Sequence, residues 1–343
     1  MIRQVPAPGK LNLHLCIGSR GSGGFHDLES VFVLLEYADT LTFAPAERGK
    51  TLLALDYAGP LRELISRGWN CGTIPAEENL VYRAVEAFRR KTGYAAGLDI
   101  TLIKRIPPGS GLGGGSSNAA SALLTLNDLA ARSGSEAFAP PRAGQAAALA
   151  GNGGVSSGGF LSRAELLDLA AELGSDVPFF TAAGSSEALP GAGSTAAWVA
   201  GRGERIRFLP PPPSLGILLA FPGFASNTAA AYDLLDKSRK RPVPGLAGCP
   251  LLEGRWPPPE KWNFRNDFLD LFLSRGGARE KEGYALILEA LKNAGAAFTG
   301  LSGSGSACFG IFTGPETAAA AKKKLEGTPY TFHVTFFLAC RED

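Results

Sequence analysis

Histidine, cysteine and net charge are scarce in this 343-residue chain. Its 34 lysines and arginines nearly balance its 32 acidic residues, so the formal charge is only +2 and no basic face is evident. This balance argues against a nucleic acid as a partner. The five cysteines are widely spaced and odd in number, a pattern typical of reduced thiols in a cytoplasm rather than of a metal site. We therefore expect a cytoplasmic protein without a cluster of metal ligands.

Long apolar runs are missing as well. No segment approaches the length of a membrane span, and the first residues lack the apolar core of a secretory signal. We therefore expect no membrane partner. The chain is long enough for two domains, and four consecutive prolines at 210–213 form a stiff connector. This connector predicts one domain over 1–209 and a second over 210–343.

Glycine, by contrast, is abundant, and it is concentrated in residues 107–118. Alternating apolar residues over 98–103 predict a strand before this segment, and apolar residues at helical spacing predict a helix after it. Ser116 or Ser117 is expected to cap that helix. Glycine tolerates positive φ and lets an anion approach, and a helix N-terminus favours negative charge. The segment therefore predicts a phosphate cradle.

Other interpretations of this glycine-rich segment compete with that one. A Walker loop would end in Gly-Lys-Ser/Thr, and the segment 107–118 does not. A protein-kinase loop would need His-Arg-Asp and Asp-Phe-Gly partners, and the chain has neither. Gly109, Gly111 and Gly114 match the GxGxxG spacing of a dinucleotide-binding turn, although the residues that follow do not continue as its βαβ unit. An NAD-dependent oxidoreductase is therefore a distant alternative, as is a connection that binds no ligand.

Two polar residues share a face of a predicted N-terminal strand. Residues 10–17 alternate between apolar and polar side chains, which predicts a half-buried strand with Lys10 and Asn12 on the same side. From this residue alone, a solvated strand lysine is the better interpretation of Lys10. Residues 31–35 and 40–43 predict two further short strands.

Three other side chains are candidates for chemistry, each with a plainer alternative. Phe25 and His26 follow a glycine-rich loop and could hold a base, or could pack in a core. A capping box that begins at Ser162 predicts a helix ending at Gly174, and Asp176 follows in a short turn. An aspartate at that place could serve catalysis or only cap the turn.

The second half of the chain adds a helix face and another loop of glycine and serine. Thr228 and Tyr232 are four residues apart, which places them on one helix face. The segment 131–160 predicts a poorly ordered insertion, and 240–262 predicts a surface loop. The second glycine–serine loop precedes a strand and contains Ser302, Gly303, Ser304 and Gly305.

Taken together, these motifs resemble the GHMP kinase superfamily. The superfamily has the same three in this order: Lys10-Leu11-Asn12-Leu13, the loop 111–118 and Leu301-Ser302-Gly303-Ser304-Gly305. Within it, the segments around His26 and Asp176 look like the cytidine-recognition loop and the catalytic-aspartate motif of kinases that act on 4-diphosphocytidyl-2-C-methyl-D-erythritol. Gly9 and Phe25 depart from the alanine and tyrosine usual there.

The resemblance implies a mixed α/β (α+β) fold with two domains. The first would be a ribosomal-protein-like β/α domain that binds ATP, and the second a ferredoxin-like C-terminal domain. The implied reaction transfers the γ-phosphoryl group of ATP, with Mg²⁺, to the 2-hydroxyl of that small-molecule substrate, in the non-mevalonate route to isoprenoid precursors. A kinase acting on another small alcohol, of the homoserine or mevalonate type, is the alternative. A monomer or weak homodimer is expected.

The resemblance also implies a role for each candidate residue. Lys10 and Asp176 would be catalytic, with Asp176 accepting the proton of the attacking hydroxyl. The second glycine–serine loop, 302–305, would close beside the phosphates. The substrate would be bound by Asn12, Phe25, His26, Thr228 and Tyr232. ATP would be bound by Pro107, Pro108, Gly109, Ser110, Gly111, Leu112, Gly113, Gly114, Gly115, Ser116 and Ser117.

Overall fold

The computed structural model describes residues 2–21, 24–72, 74–133, 159–184, 195–238, 251 and 256–338. Its strands are β1 (Arg3–Arg20), β2 (His26–Ala46), β3 (Thr51–Tyr57), β4 (Gly97–Lys104), β5 (Ala196–Gly201), β6 (Arg205–Phe208), β7 (Gly216–Phe221), β8 (Phe298–Leu301), β9 (Cys308–Phe312) and β10 (Thr331–Phe336). Its helices are α1 (Pro60–Ser66), α2 (Leu80–Thr92), α3 (Gly114–Arg132), α4 (Arg163–Leu173), α5 (Val177–Gly184), α6 (Thr228–Ser238), α7 (Asp267–Arg275), α8 (Ala278–Asn293) and α9 (Pro315–Lys324). In these described ranges, no helix combines the length and the apolar character that crossing a membrane requires.

The N-terminal half is built on a mixed sheet. Its strand order is β3-β4-β2-β5-β6, and β1 pairs with β2 off this path. β2 is one continuous strand of 21 residues, so the prediction of separate strands at 31–35 and 40–43 is wrong. Polar residues in its middle do not break it, because Asp39 is fully buried and accepts hydrogen bonds from the backbone N–H groups of Arg105 and Ile106.

Strand β1 is buried on both faces, whereas its alternating pattern predicted a half-buried strand. Leu11 and Leu13 pack into an apolar cluster, as the pattern requires. Lys10 and Asn12, on the other face, are each only 3% exposed. Both halves of the chain cover this face, since Lys10 contacts Phe32 and Asp176, and Gly303 lies against Oδ1 of Asn12. The backbone N–H of Asn12 also donates to Oγ of Ser302. The alternation therefore identified an apolar and a polar face but could not show that both are covered.

The first glycine loop leads from β4 into α3 without a capping side chain. The residue before the helix is Gly113, in the left-handed conformation, and it makes no side-chain hydrogen bond. Ser116 and Ser117 lie inside the helix, so the predicted serine cap is wrong. Gly109 and Gly111 also have positive φ. This run of left-handed glycines turns the chain into the helix and leaves no place for a serine cap.

Helices α2 and α4 have ends with local sequence signals, and the predicted ends of α4 are confirmed. The side chain of Asn79 accepts a hydrogen bond at the start of α2, and Gly93 ends that helix with a φ of 77°. A capping box of Ser162 and Glu165 begins α4, which ends at Gly174. These signals depend on neighbours along the chain, which is why the sequence was sufficient to find them.

The C-terminal half carries an antiparallel sheet with the order β10-β7-β9-β8, against which α8 and α9 pack. The chain passes from the first sheet to the second between Phe208 and Gly216, across the proline connector. The domain boundary at 209 and 210 itself stays a prediction. One apolar cluster contains side chains of both sheets, among them Val33 and Leu219. The two sheets therefore share a packed junction.

Two predicted loops fall outside the described residues. The insertion predicted at 131–160 lies mostly in 134–158, and the loop predicted at 240–262 lies mostly in 239–250 and 252–255. The helices that flank the first of them are described, since α3 ends at Arg132 and α4 begins at Arg163.

Candidate active site

A cavity of about 420 Å³ lies between the two glycine-rich loops. Strand β1, the start of α3, helix α6 and the turn before α5 also contribute to its wall. A separate group of lining side chains is apolar and comes from β3, β4 and the start of α2. The predicted site residues that line the cavity are Lys10, Asn12, Pro107, Pro108, Gly109, Ser110, Gly111, Leu112, Gly113, Gly114, Gly115, Ser116, Asp176, Thr228, Tyr232, Gly303 and Ser304.

The cavity brings together the two residues predicted to be catalytic. Nζ of Lys10, on β1, lies 3.5 Å from Oδ2 of Asp176, in the turn between α4 and α5. The lysine side chain is 4% exposed and the aspartate side chain 30%. Burial lowers the pKa of Lys10, and the carboxylate of Asp176 opposes that shift. A buried ammonium therefore lies beneath a carboxylate that still faces the cavity.

Neighbouring groups hold the Lys10 ammonium in place. Nζ donates a hydrogen bond to Oδ1 of Asn12, so the two residues do share a face as predicted. It also lies 4.7 Å from the centroid of the Phe32 ring, within cation–π range. Nδ2 of Asn12 in turn donates to Oγ of Ser30 at 2.9 Å. These contacts leave the ammonium little freedom to turn away from Asp176.

The first glycine loop has the properties of an anion cradle. A Cβ atom at Gly111 would lie 2.0 Å from the carbonyl oxygen of Ser302, and one at Gly113 would lie 3.0 Å from the Phe180 ring, so larger residues do not fit. Oγ of Ser110 and Oδ1 of Asn118 are buried at the cavity and have no hydrogen-bond partner within the described chain. Buried polar atoms normally have a partner, so these two suit a polar ligand such as a phosphate with its cation.

The second glycine–serine loop docks directly on the first. Oγ of Ser302 donates to the carbonyl oxygen of Gly111 at 3.0 Å and accepts from the backbone N–H of Asn12 at 3.2 Å. Oγ of Ser304 shares a hydrogen bond of 2.8 Å with Oγ1 of Thr228. The two loops, β1 and α6 are thus linked around one cavity.

The residues predicted to bind a base are only partly brought together. The imidazole of His26 stacks on Tyr232, with a centroid separation of 5.1 Å and an interplanar angle of 25°. Its Nε2 lies 2.7 Å from Oδ1 of Asp236. Phe25 is 56% exposed, and Cζ of Arg202 lies 3.6 Å from its ring centroid. The structure therefore pairs Tyr232 with His26 rather than with Phe25, and a base held between the two rings stays a prediction.

Tyr232 connects this aromatic cluster with the predicted catalytic pair. Burial, and to a smaller extent the Asp176 carboxylate, raises the pKa of Tyr232 to about 12. The phenol therefore keeps its proton at neutral pH and can donate a hydrogen bond into the cavity. Its ring also packs edge-on against Phe268, with centroids 5.0 Å apart.

Two polar groups beside the cavity were missed by the sequence analysis. Lys104, the last residue of β4, lines the cavity and forms an ion pair with Asp39, which is fully buried. Asn266, which caps α7, donates to the carbonyl oxygens of Leu301 and Gly303 at 2.7 and 2.8 Å. The place of Lys104 just before the glycine loop was a usable signal. No pattern around Asn266 indicates that it reaches the second loop.

Two family models match the chain, one in each half. The model for the GHMP kinases N terminal domain matches residues 79–160, and the model for GHMP kinases C terminal matches residues 250–330. The 4-diphosphocytidyl-2-C-methyl-D-erythritol kinase of Ralstonia nicotianae is 43% identical over 128 residues, which are 37% of this chain and 39% of the relative. That of Methylococcus capsulatus is 43% identical over 126 residues, 37% and 38% of the two chains. The match thus spans about two fifths of these relatives' length.

Solved structures are similar over nearly the whole chain. The crystal structure of a 4-(cytidine 5'-diphospho)-2C-methyl-D-erythritol kinase is 27% identical, with a TM-score of 0.65, and the match covers 98% of this chain and 100% of that one. Mevalonate kinase of Methanococcus jannaschii is 13% identical, with a TM-score of 0.58 and 98% of each chain covered, which indicates a common fold alone. The predicted two-domain α/β fold of the GHMP kinases is therefore confirmed.

Proposed function

We propose that this chain, which belongs to the GHMP kinase superfamily, transfers the γ-phosphoryl group of ATP to the 2-hydroxyl group of 4-diphosphocytidyl-2-C-methyl-D-erythritol. The reaction is a step of the non-mevalonate route to isoprenoid precursors. Curated relatives and a solved structure named for this activity support the proposal, the former over part of the chain and the latter over nearly all of it.

The observation that carries the proposal is the contact between Lys10 and Asp176 beside the glycine-rich cradle. Phosphoryl transfer depends on positioning and on neutralising charge more than on covalent catalysis. A carboxylate that faces the cavity can take a proton from an alcohol, and a buried ammonium beside it can stabilise negative charge. The pair supplies both functions within 3.5 Å.

In the proposed mechanism, Asp176 accepts the proton of the substrate hydroxyl while the oxygen of that hydroxyl attacks the γ-phosphorus of ATP. The bond between that phosphorus and the bridging oxygen breaks, and ADP leaves. Lys10 keeps the Asp176 carboxylate in position and offsets negative charge on the group in transfer. Asn12, which accepts a hydrogen bond from Nζ of Lys10, orients this ammonium and lies beside the substrate.

The first glycine loop binds the triphosphate through backbone N–H groups at the start of α3 and through the hydroxyl of Ser110. Mg²⁺, when bound, neutralises phosphate charge. Oδ1 of Asn118, which is buried at the cavity and has no partner within the described chain, is an oxygen ligand that these residues would offer the ion. The apolar part of the lining, which includes Leu80 and Ile106, suits the adenine ring.

His26 and Tyr232 favour a cytidyl substrate over the alternatives. Stacking a base on an aromatic side chain contributes on the order of 1–3 kcal/mol, and neither homoserine nor mevalonate has a ring that could use it. Homoserine and mevalonate kinases are similar to this chain in fold alone. The NAD-dependent alternative is disfavoured, because the elements described after α3 are the helices α4 and α5 rather than a second parallel strand.

An ADP-release assay with three alcohols tests the proposal. The purified chain receives ATP and Mg²⁺ with the cytidyl substrate, with homoserine or with mevalonate, in separate reactions. We expect ADP release above background with the cytidyl substrate alone, and a product that carries a new phosphate at its 2-position by phosphorus NMR. Turnover of homoserine or mevalonate in its place would contradict the substrate assignment. Nicotinamide reduction without use of ATP would overturn the assignment as a kinase.

A further inference from the structure

The carboxylate of Asp236, on α6, holds the imidazole of His26. Oδ1 lies 2.7 Å from Nε2, and Oδ2 lies 3.5 Å from Nη1 of Arg20. The imidazole is only 8% exposed, whereas the carboxylate is 34% exposed at the edge of the cluster. Arg20 ends β1, His26 begins β2, and Asp236 lies on a helix of the second half. The β1–β2 hairpin pairs Arg20 with His26, and tertiary structure brings Asp236 to both of them.

The imidazole is fixed in orientation as well as in position. Tyr232, one turn before Asp236 on the same helix, stacks on the face of the ring. Nδ1 makes no hydrogen bond to the part of the chain that the structure describes. Since a carboxylate can only accept, Nε2 must be the nitrogen that carries the proton in the neutral ring. Nδ1 is then an acceptor.

We propose that Asp236 is a positioning residue that sets base specificity: it keeps the proton on Nε2 of His26, so that Nδ1 accepts the exocyclic amino group of cytosine. This inference rests on the proposed function, because it takes the cytidyl substrate as given. Cytosine has an N–H donor at that position, whereas uracil has a carbonyl oxygen there, as thymine does. Nδ1 would accept a hydrogen bond from the amino group of cytosine. It would form none with the carbonyl oxygen of uracil, because both atoms are acceptors.

Tyr232 connects the imidazole of His26 with the cavity. Its ring is offset from the imidazole, as the 5.1 Å centroid separation requires for nearly parallel rings. The same tyrosine lines the cavity together with Thr228. In the proposed complex, a base coplanar with the imidazole stacks on the remaining part of Tyr232 and turns its amino edge toward Nδ1.

The substitution Asp236→Asn tests this role. An amide can accept from Nε2 or donate to it, so the imidazole regains the option of carrying its proton on Nδ1. The quantity measured is kcat/KM for the cytidyl substrate and for its uridyl counterpart, at mildly alkaline pH so that free imidazole is neutral. We expect the cytidyl-to-uridyl ratio to fall about tenfold, which corresponds to one hydrogen bond.

The control is Asp233→Asn, the same change of charge at an exposed position of the same helix. It should keep the wild-type ratio. Asp236→Ala serves as a second variant should Asp236→Asn fail to fold, and it should lower the ratio as well. In a His26→Ala background, Asp236→Asn should not change the ratio further, because the carboxylate acts through the imidazole.

Three outcomes would overturn the inference. The first is a wild-type ratio in both Asp236 variants, and the second is an equal loss of kcat/KM for both substrates, which would make the carboxylate merely structural. The third is a further fall of the ratio in the His26→Ala background, since Asp236 would then act by another route. If the wild-type chain does not turn over the cytidyl substrate, the proposed function fails and the inference fails with it. If the wild type turns over the cytidyl substrate and both Asp236 variants keep its cytidyl-to-uridyl ratio, the inference fails and the proposed function stands.

Discussion

One ion pair dominates the cavity at the scale of single residues. Burying the Lys10 ammonium costs solvation, which is why its pKa falls below the ordinary value of 10.5. Asp176, 3.5 Å away, offsets part of that cost. Because the Asp176 side chain is 30% exposed, it can meet a substrate hydroxyl at the same time. In the proposed mechanism the Asp176 carboxylate therefore has two roles, since it favours the charged form of Lys10 and accepts a proton.

Asp176→Asn keeps the size of the side chain but removes the base. We expect kcat to fall about 100-fold or more, because a positioned general base contributes that much to a proton transfer. The affinity for ATP, measured by calorimetry with a non-hydrolysable analogue, should change little, since the cradle is built from backbone groups of the first loop. Asp233→Asn, at an exposed position of α6, is the control and should retain full activity. Wild-type turnover by Asp176→Asn would show that another group takes the proton.

At the scale of elements, helix α7 fastens the second glycine–serine loop. Oδ1 of its capping residue, Asn266, accepts from the backbone N–H of Phe268 at 2.9 Å. Nδ2 of the same side chain donates to the carbonyl oxygens of Leu301 and Gly303. Ser302 lies between these two residues and carries the hydrogen bond to the first loop. One asparagine thus caps a helix and secures the contact between both loops.

Asn266→Ala should therefore impair ATP binding as well as stability. Two buried carbonyl oxygens lose a donor, which costs about 1–3 kcal/mol of the free energy of unfolding. We also expect the KM for ATP to rise several-fold, because the second loop would no longer be held in contact with the first glycine loop. Urea denaturation and initial-rate kinetics measure the two effects.

Asn127→Ala is a matched control for this change. Asn127, on α3, also bridges backbone groups, since it exchanges hydrogen bonds of 2.7 and 3.0 Å with Leu161, but it does not line the cavity. It should lose stability and keep the wild-type KM for ATP. An unchanged KM in Asn266→Ala, or the same rise in both variants, would show that Asn266 only stabilises the fold.

At the scale of the whole molecule, packing of the second half against β1 buries a titratable group. The imidazole of His14 is 3% exposed, and its Nδ1 accepts a hydrogen bond of 3.2 Å from the backbone N–H of Arg265. Protonation of Nδ1 would break that bond. Burial first, and then the nearby Arg265 charge, lowers the pKa of His14 to about 4. Burial, followed by the Lys322 charge, has the same effect on His333, whose pKa is also about 4.

These two histidines predict loss of stability in mild acid. Between the ordinary pKa of 6.5 and the folded value of about 4, the unfolded chain binds more protons than the folded chain. The free energy of unfolding should therefore be retained above pH 6.5 and decrease as the pH falls toward 4, by up to about 3 kcal/mol for each group. Urea denaturation across this window measures the slope. His14→Gln should lower stability at neutral pH and flatten the slope, and an equally steep slope in the variant would contradict the assignment.

Sequence predictions were correct where the structure depends on residues that are close together along the chain. The cap at Ser162 and the strand before the glycine loop depend on neighbours along the chain, and the structure has them. The predicted cap at Ser116 or Ser117 failed because three left-handed glycines had already turned the chain. The prediction that β1 is half-buried failed because the residues that cover its polar face, such as Asp176 and Gly303, are distant in sequence.

The sequence alone determined the glycine-rich turn into α3 and the polar face of β1, because glycine conformation and side-chain alternation are properties of adjacent residues. Tertiary structure decided which partners those residues meet. Asn12 bonds to Ser302 across 290 positions, and His26 bonds to Asp236 across 210. Hydrogen bonds and ion pairs depend on distance through space and on burial, and both are set only when the two halves of the chain pack together.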